Sequence, residues 1–262
     1  MADSDAAVVT DPASRRLLGW EVGIVLALSL GASAVSAVIS FVGSLTAARN
    51  LAGQHAVIVG SQAPGRPWLD LAWQLFGIAT ALVPVILVGY LLARDGTSIR
   101  SLGLDTRRLG RELGAGAAIA AAIGGTGLAL YFAARALDIN LTVVPSTLPD
   151  VWWRVPVLVL SAVQNAVVEE VIVLGYLTRR LARLGWSPLA AGTASAVLRG
   201  TYHLYQGVGG LLGNMAMGAI FAYLYRRFGR LAPFLLAHAL IDTVAFIGSA
   251  LLAGHVSWLP SG

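Results

Sequence analysis

Cysteine and lysine are both missing from this 262-residue chain, and charge of any kind is scarce at 12% of residues. Without cysteine there is no disulfide framework, no thiolate metal site and no cysteine nucleophile, and the redox compartment is left open. All 18 basic residues are therefore Arg; beside so much Ala and Gly, this suggests a GC-rich bacterial genome. What is abundant is hydrophobic: 57% of residues, with a mean hydropathy of +0.76. That is the composition of a membrane protein, not of a soluble domain. A net charge of +5 would raise nucleic acid as a partner of a soluble protein. Here the Arg residues fall between apolar runs, so orientation in a bilayer accounts for them and no nucleic-acid partner is expected.

Seven apolar runs have roughly the 20 residues that a bilayer requires. They cover about 18–47, 69–93, 113–134, 155–178, 187–205, 207–225 and 231–253. The expected fold is all-α, a polytopic membrane helix bundle of about seven transmembrane helices. Residues 1–17 read as a disordered cytoplasmic tail and 18–262 as one transmembrane domain. Ala32-Ser33-Ala34 resembles a signal-peptide cleavage site, but the apolar stretch runs well past it, which favours an uncleaved span. The tail and the segments 94–112, 179–186 and 226–230 hold thirteen Arg, against four in the alternate loops (Arg49, Arg66, Arg135 and Arg154). By the positive-inside rule the N-terminus is cytoplasmic, and the plasma membrane is the expected location. The small residues of the third and sixth runs, Gly114, Gly116, Gly124, Gly125, Gly127, Gly209, Gly213 and Gly218, are expected to serve close helix packing.

Within the runs, clear of their ends, the ionisable residues are few: Glu169, Glu170, Arg199, His203, His238 and Asp242. Charges at bilayer depth cost at least about 2.5–3.5 kcal/mol each on insertion scales, so they mark working sites. Arg199 and His203 are four apart, as are His238 and Asp242, which puts each pair on one helix face. Adjacent Glu169 and Glu170 point about 100° apart, so one can face a cavity while the other reaches a neighbouring helix. Three helices meeting at that depth would enclose one polar pocket. Glu21 and Asp70, near the ends of runs, read as interfacial, and His55 and His255 as ordinary loop residues.

These segments resemble the CPBP family, the type II CAAX prenyl endopeptidases and their bacterial relatives, including bacteriocin-immunity-type proteins. The family pattern is Glu-Glu followed by Phe-Arg-Gly, then Phe-x-x-x-His, then His-x-x-x-Asn or Asp. Here it falls at Glu169-Glu170 through Gly175, at Arg199 to His203, and at His238 to Asp242, within about residues 150–250. Leu174 stands where the family has Arg, and Arg199 where it has Phe. The guanidinium is accordingly expected to have moved between helices while still pairing with Glu170, since a buried carboxylate needs such a partner.

The resemblance implies an intramembrane endopeptidase in which Glu169, paired with Glu170, and His203 activate water while His238 and Asp242 stabilise the oxyanion. An ionised Asp only accepts hydrogen bonds, so Asp242 is expected to orient His238 and leave the imidazole as donor. Zinc or another divalent metal, held by Glu169, His203 and His238, is the alternative. Metal-free catalysis is favoured, because no His-Glu-x-x-His helix is present. Expected partners are membrane lipids and a membrane-associated peptide or lipoprotein substrate, with or without a prenyl group. The competing reading is a non-catalytic membrane protein (an immunity factor, scaffold or small carrier) that uses the same pocket for binding.

Overall fold

The computed structural model describes residues 7–105 and 108–252. Ten α-helices are found among them: α1 (Pro12–Ala27), α2 (Leu30–Leu45), α3 (Pro67–Ala81), α4 (Val83–Arg94), α5 (Leu109–Ala136), α6 (Arg154–Glu169), α7 (Thr178–Arg183), α8 (Pro188–Tyr202), α9 (Val208–Phe228) and α10 (Ala232–Leu252). A π-helical segment, Glu170–Leu177, joins α6 to α7, so 154–183 is one 30-residue helix. The chain is mostly helical, as its composition predicts. Its outer faces carry aliphatic side chains such as Ile39, Ile86, Leu189 and Val244, all exposed. Exposed apolar surface on this scale suits lipid, not water.

Two of the expected runs are broken by identifiable residues. Between α1 and α2 the axis bends by 54° at Ser29, whose backbone leaves the helical region and whose hydroxyl donates to the Val25 carbonyl at 2.6 Å. Between α3 and α4 the cause is Pro84, which has no N–H to offer; Val85 bonds instead to the Leu82 carbonyl at 3.0 Å. Among the described residues five helices are long and apolar enough to cross a membrane, counting α3–α4 and α6–α7 as one each, and six if the bent α1–α2 pair is one span. The fifth expected span differs. Over 187–205 the helix is α8, only 15 residues long. Ser187 caps its start, accepting from the Ala190 N–H at 3.2 Å. The chain leaves it at His203 and turns through Gly207, whose φ of 111° and 2.6 Å approach of a would-be Cβ to Asn140 Cα admit only glycine.

The amino-terminal expectation also needs correction. Residues 12–17, read as disordered tail, are the first turns of α1, because Asp11 caps the helix through the Ser14 N–H at 2.8 Å and Pro12 suits its first position. Residues 1–6 and 253–262, including His255, lie outside the described residues. A further departure is a two-stranded parallel sheet, β1 (His55–Val59) with β2 (Thr142–Ser146), His55 opposite Thr142. It is built from loops on the side expected to be external, and it meets the end of α8 where the Leu141 N–H donates to the Gln206 carbonyl at 2.8 Å.

The 154–183 helix is the axis of the bundle: 67% of its apolar window is buried, against 6% for α5. Every residue of its π-helical segment is buried. Around it α10 packs on α5 and α6, α8 on α9, and α2 on α8. Of the small residues, Gly116, Gly209, Gly213 and Gly218 do sit against neighbouring helices, a Cβ there meeting other atoms at 2.5–3.2 Å. Gly114, Gly125 and Gly127 face open space instead and serve no close packing.

Candidate functional site

Glu169 ends α6 and Glu170 opens the π-helical segment, so the two carboxylates sit where the helix changes its winding. Such widened turns recur at functional positions because they redirect side chains and free carbonyls. One carbonyl in the segment, that of Val173, accepts from the buried Ser195 hydroxyl of α8 at 2.8 Å. The two glutamates diverge as their adjacency predicts. Glu169 Oε2 accepts from the Tyr202 hydroxyl at 2.8 Å, and its Oε1 lies 4.0 Å from His203 Nε2. Glu170, fully buried, receives Arg199 and His238 on the same oxygen, Oε1.

Arg199 is the pivot. It forms a buried ion pair with Glu170, stands 3.9 Å from Glu169 Oε2, and lies over the Phe221 ring at 5.4 Å. Room for it comes from Gly218 of α9, where a Cβ would stand 3.0 Å from Arg199 Cδ. The guanidinium thus reaches Glu170 from α8, while Leu174, at the position where the CPBP pattern has Arg, is buried in the apolar core. Burying two charges costs several kcal/mol per ion, which the attraction between them can offset only at close range.

The two histidines are held differently. His203 Nδ1 is 3.0 Å from the Arg199 carbonyl. A carbonyl only accepts, so this nitrogen carries the proton and Nε2 is turned toward Glu169. The 4.0 Å between Nε2 and Glu169 Oε1 is too long for a direct hydrogen bond and fits one bridging water. His238 Nδ1 is 2.8 Å from Glu170 Oε1, whereas its Nε2 is 3.6 Å from Asp242 Oδ2. Glu170, not Asp242, is therefore the partner that fixes the His238 ring. All six ionisable residues read from the sequence belong to one connected cluster. Tyr202 and Phe221 were not singled out, although Tyr202 sits beside His203 in the motif, and nothing in the sequence marks Phe221.

The cluster does not fit a metal. Among the described residues no group of three His, Asp or Glu could hold one. The Arg199 guanidinium, bonded to Glu170 and 3.9 Å from Glu169, occupies the place between the carboxylates that a bridging cation would need. Two buried polar atoms of the cluster, Glu170 Oε2 and Arg199 Nη1, have no partner.

Beside Glu169 lies a cavity of ≈ 310 Å³. Its wall runs from the α1–α2 break (Ser29, Ser33) across the α3–α4 break (Thr80) to Gln164 and Asn165 of α6. Both helix interruptions thus border the same hollow, and among the described residues Glu169 is the one ionisable residue that lines it.

Other charged groups lie outside the cluster and have structural roles. Glu21 pairs with Arg94 at 2.5 Å and Arg180 at 2.9 Å and accepts from the Tyr176 hydroxyl at 2.9 Å, which stitches α1 to α4 and α7. Asp70 is fully buried and accepts from Ser61 and from the Gln62 N–H at 2.7 and 2.9 Å, closing the loop before α3. Arg230 bridges Asp105 and Glu112.

Residues 151–244 match the family model described as type II CAAX prenyl endopeptidase Rce1-like. The matched segment contains all six ionisable residues of the cluster; α1 to α5 lie outside it. No curated protein and no solved structure matches the chain.

Proposed function

We propose that this chain, Rce1-like over residues 151–244, is an intramembrane endopeptidase of the plasma membrane. It cuts peptide bonds of membrane-associated substrates, lipidated or prenylated, with water activated by Glu169 and His203. The observation that carries the reading is the 4.0 Å gap between Glu169 Oε1 and His203 Nε2. A water in that gap meets two acceptors, so it donates one hydrogen to each and keeps its lone pairs for attack. As oxygen adds to the carbonyl carbon, one proton passes to this pair. When the C–N bond breaks, the same proton is delivered to the leaving amine. His238, in its doubly protonated form, keeps one N–H on Glu170 and offers the other to the developing oxyanion. Asp242 then stabilises that ring from 3.6 Å without touching the oxyanion.

The test is cleavage of a broad panel of lipidated and plain peptides by the purified protein in detergent. Glu169→Gln, which keeps shape but removes the base, should abolish cleavage with the melting temperature retained. A folded wild-type protein that cleaves no member of the panel would instead favour a non-catalytic binding role.

A further inference from the structure

The cavity beside Glu169 has a lining that the chemistry above leaves unused. Among the described residues no Arg borders it, so it is not built for an anion, and Glu169 is its only acid. Half-buried Gln164 and exposed Ser33 line it, and among the described residues neither side chain makes a hydrogen bond. A primary amide left unpaired at the wall of a cavity offers one donor group and one acceptor to whatever enters it. Its natural complement carries an N–H and a C=O side by side, which is what a stretch of extended peptide backbone presents. At ≈ 310 Å³ the hollow is at the small end of ligand cavities, about 300–1,000 Å³, and takes a short segment, not a folded partner.

We infer that this cavity is a peptide-backbone subsite in which Gln164, helped by Ser33, holds an extended segment of the substrate against Glu169. The inference rests on the endopeptidase reading for the identity of its occupant. It goes beyond that reading by assigning a specificity element outside the three motifs, partly on α2, which lies outside the family match. Recognition of backbone, not side chains, makes the subsite tolerant of sequence and selective for unwound chain. A helical segment, its own N–H groups already bonded, has nothing to offer Gln164.

Affinity and cleavage are to be measured separately. The Glu169→Gln protein is titrated in detergent with a fluorescent, N-palmitoylated decapeptide pool of mixed sequence and with the same pool methylated on its backbone nitrogens. Gln164→Met, added to that protein, should weaken the plain pool about 3–10-fold, the equivalent of one hydrogen bond. It should also erase the difference between plain and methylated pools. Equal affinity with and without Gln164→Met, a methylation penalty that persists in Gln164→Met, or no measurable binding of either pool overturns the subsite. If Gln164→Met does not fold, Ser33→Ala with the two pools makes the same comparison. Cleavage of the plain pool by the unmodified protein tests the other reading independently. A Gln164-dependent affinity without hydrolysis sinks the endopeptidase and leaves the subsite, whereas hydrolysis indifferent to Gln164 does the reverse.

Discussion

At the scale of single residues, the relocated guanidinium has the sharpest consequence. Among the described residues Arg199 is the only cation bonded to Glu170 apart from the His238 ring. Arg199→Met should destabilise the fold by about 3–5 kcal/mol, because it strands a buried charge. Combining Arg199→Phe with Leu174→Arg returns the charge to α6's own helix and should recover most of the melting temperature and activity. A well-folded but inactive double variant would count against the exchange. Tyr202→Phe removes a hydrogen bond from Glu169 Oε2 and leaves the ring. If that bond positions the base, kcat should fall about 10–100-fold, in line with the roughly 1.5–3 kcal/mol of a bond to a charged group, while KM and the melting temperature barely move. A loss confined to stability would make Tyr202 merely structural. The six ionisable residues were legible in the sequence because a charge in an apolar run has no innocent explanation. Gln164, Ser33 and Phe221 were not, because an uncharged polar or aromatic side chain in such a run has many.

Elements repeat the lesson in coarser form. The lengths of the apolar runs located α5, α9 and α10 well, but run length could not see that the centre of the 154–183 helix winds as a π-helix, since 3.6- and wider-turn segments share one composition. It also joined α3 to α4 across Pro84, although proline inside a helical pattern was a visible warning. The short strands of β1 and β2 escaped notice because each lies in a loop and pairs with a partner far away in sequence. Where elements are tied by charge, pH should report it. Burial pushes the Asp95 carboxyl up, but hydrogen bonds from Arg180 and Arg183 of α7 outweigh this and hold it below the usual carboxylate range. A depressed acid stabilises the fold above its unfolded value, near 4, and loses that contribution as pH falls through the lower folded value. Thermal melts from pH 5 downward should therefore steepen their loss below about pH 4, and Asp95→Asn should flatten that limb. A slope unchanged in Asp95→Asn would remove the carboxylate from the account. Against α9, Gly218→Leu should drive Arg199 off Glu170, with an overpacking cost of about 1–3 kcal/mol.

For the molecule as a whole, the absence of cysteine makes the expected orientation easy to check. Arg66 and Arg226 are both exposed and belong to opposite sets of loops. With the N-terminus cytoplasmic, a membrane-impermeant maleimide should label Arg66→Cys in intact cells and Arg226→Cys only after permeabilisation. The opposite pattern would invert the assignment.

The brevity of α8 reaches further than topology. Fifteen residues rise about 22 Å, against roughly 30 Å of hydrocarbon, and such a mismatch is met by thinning the surrounding bilayer. Such thinning would draw headgroups and their hydration down toward His203, the first residue beyond the helix. On the proposed reading a site inside oil must obtain its second reactant from somewhere, and a dimple in the leaflet would supply it without a dedicated channel. Turnover in vesicles of longer-chain lipid should slow accordingly, through starvation for solvent and not through loss of grip on the peptide.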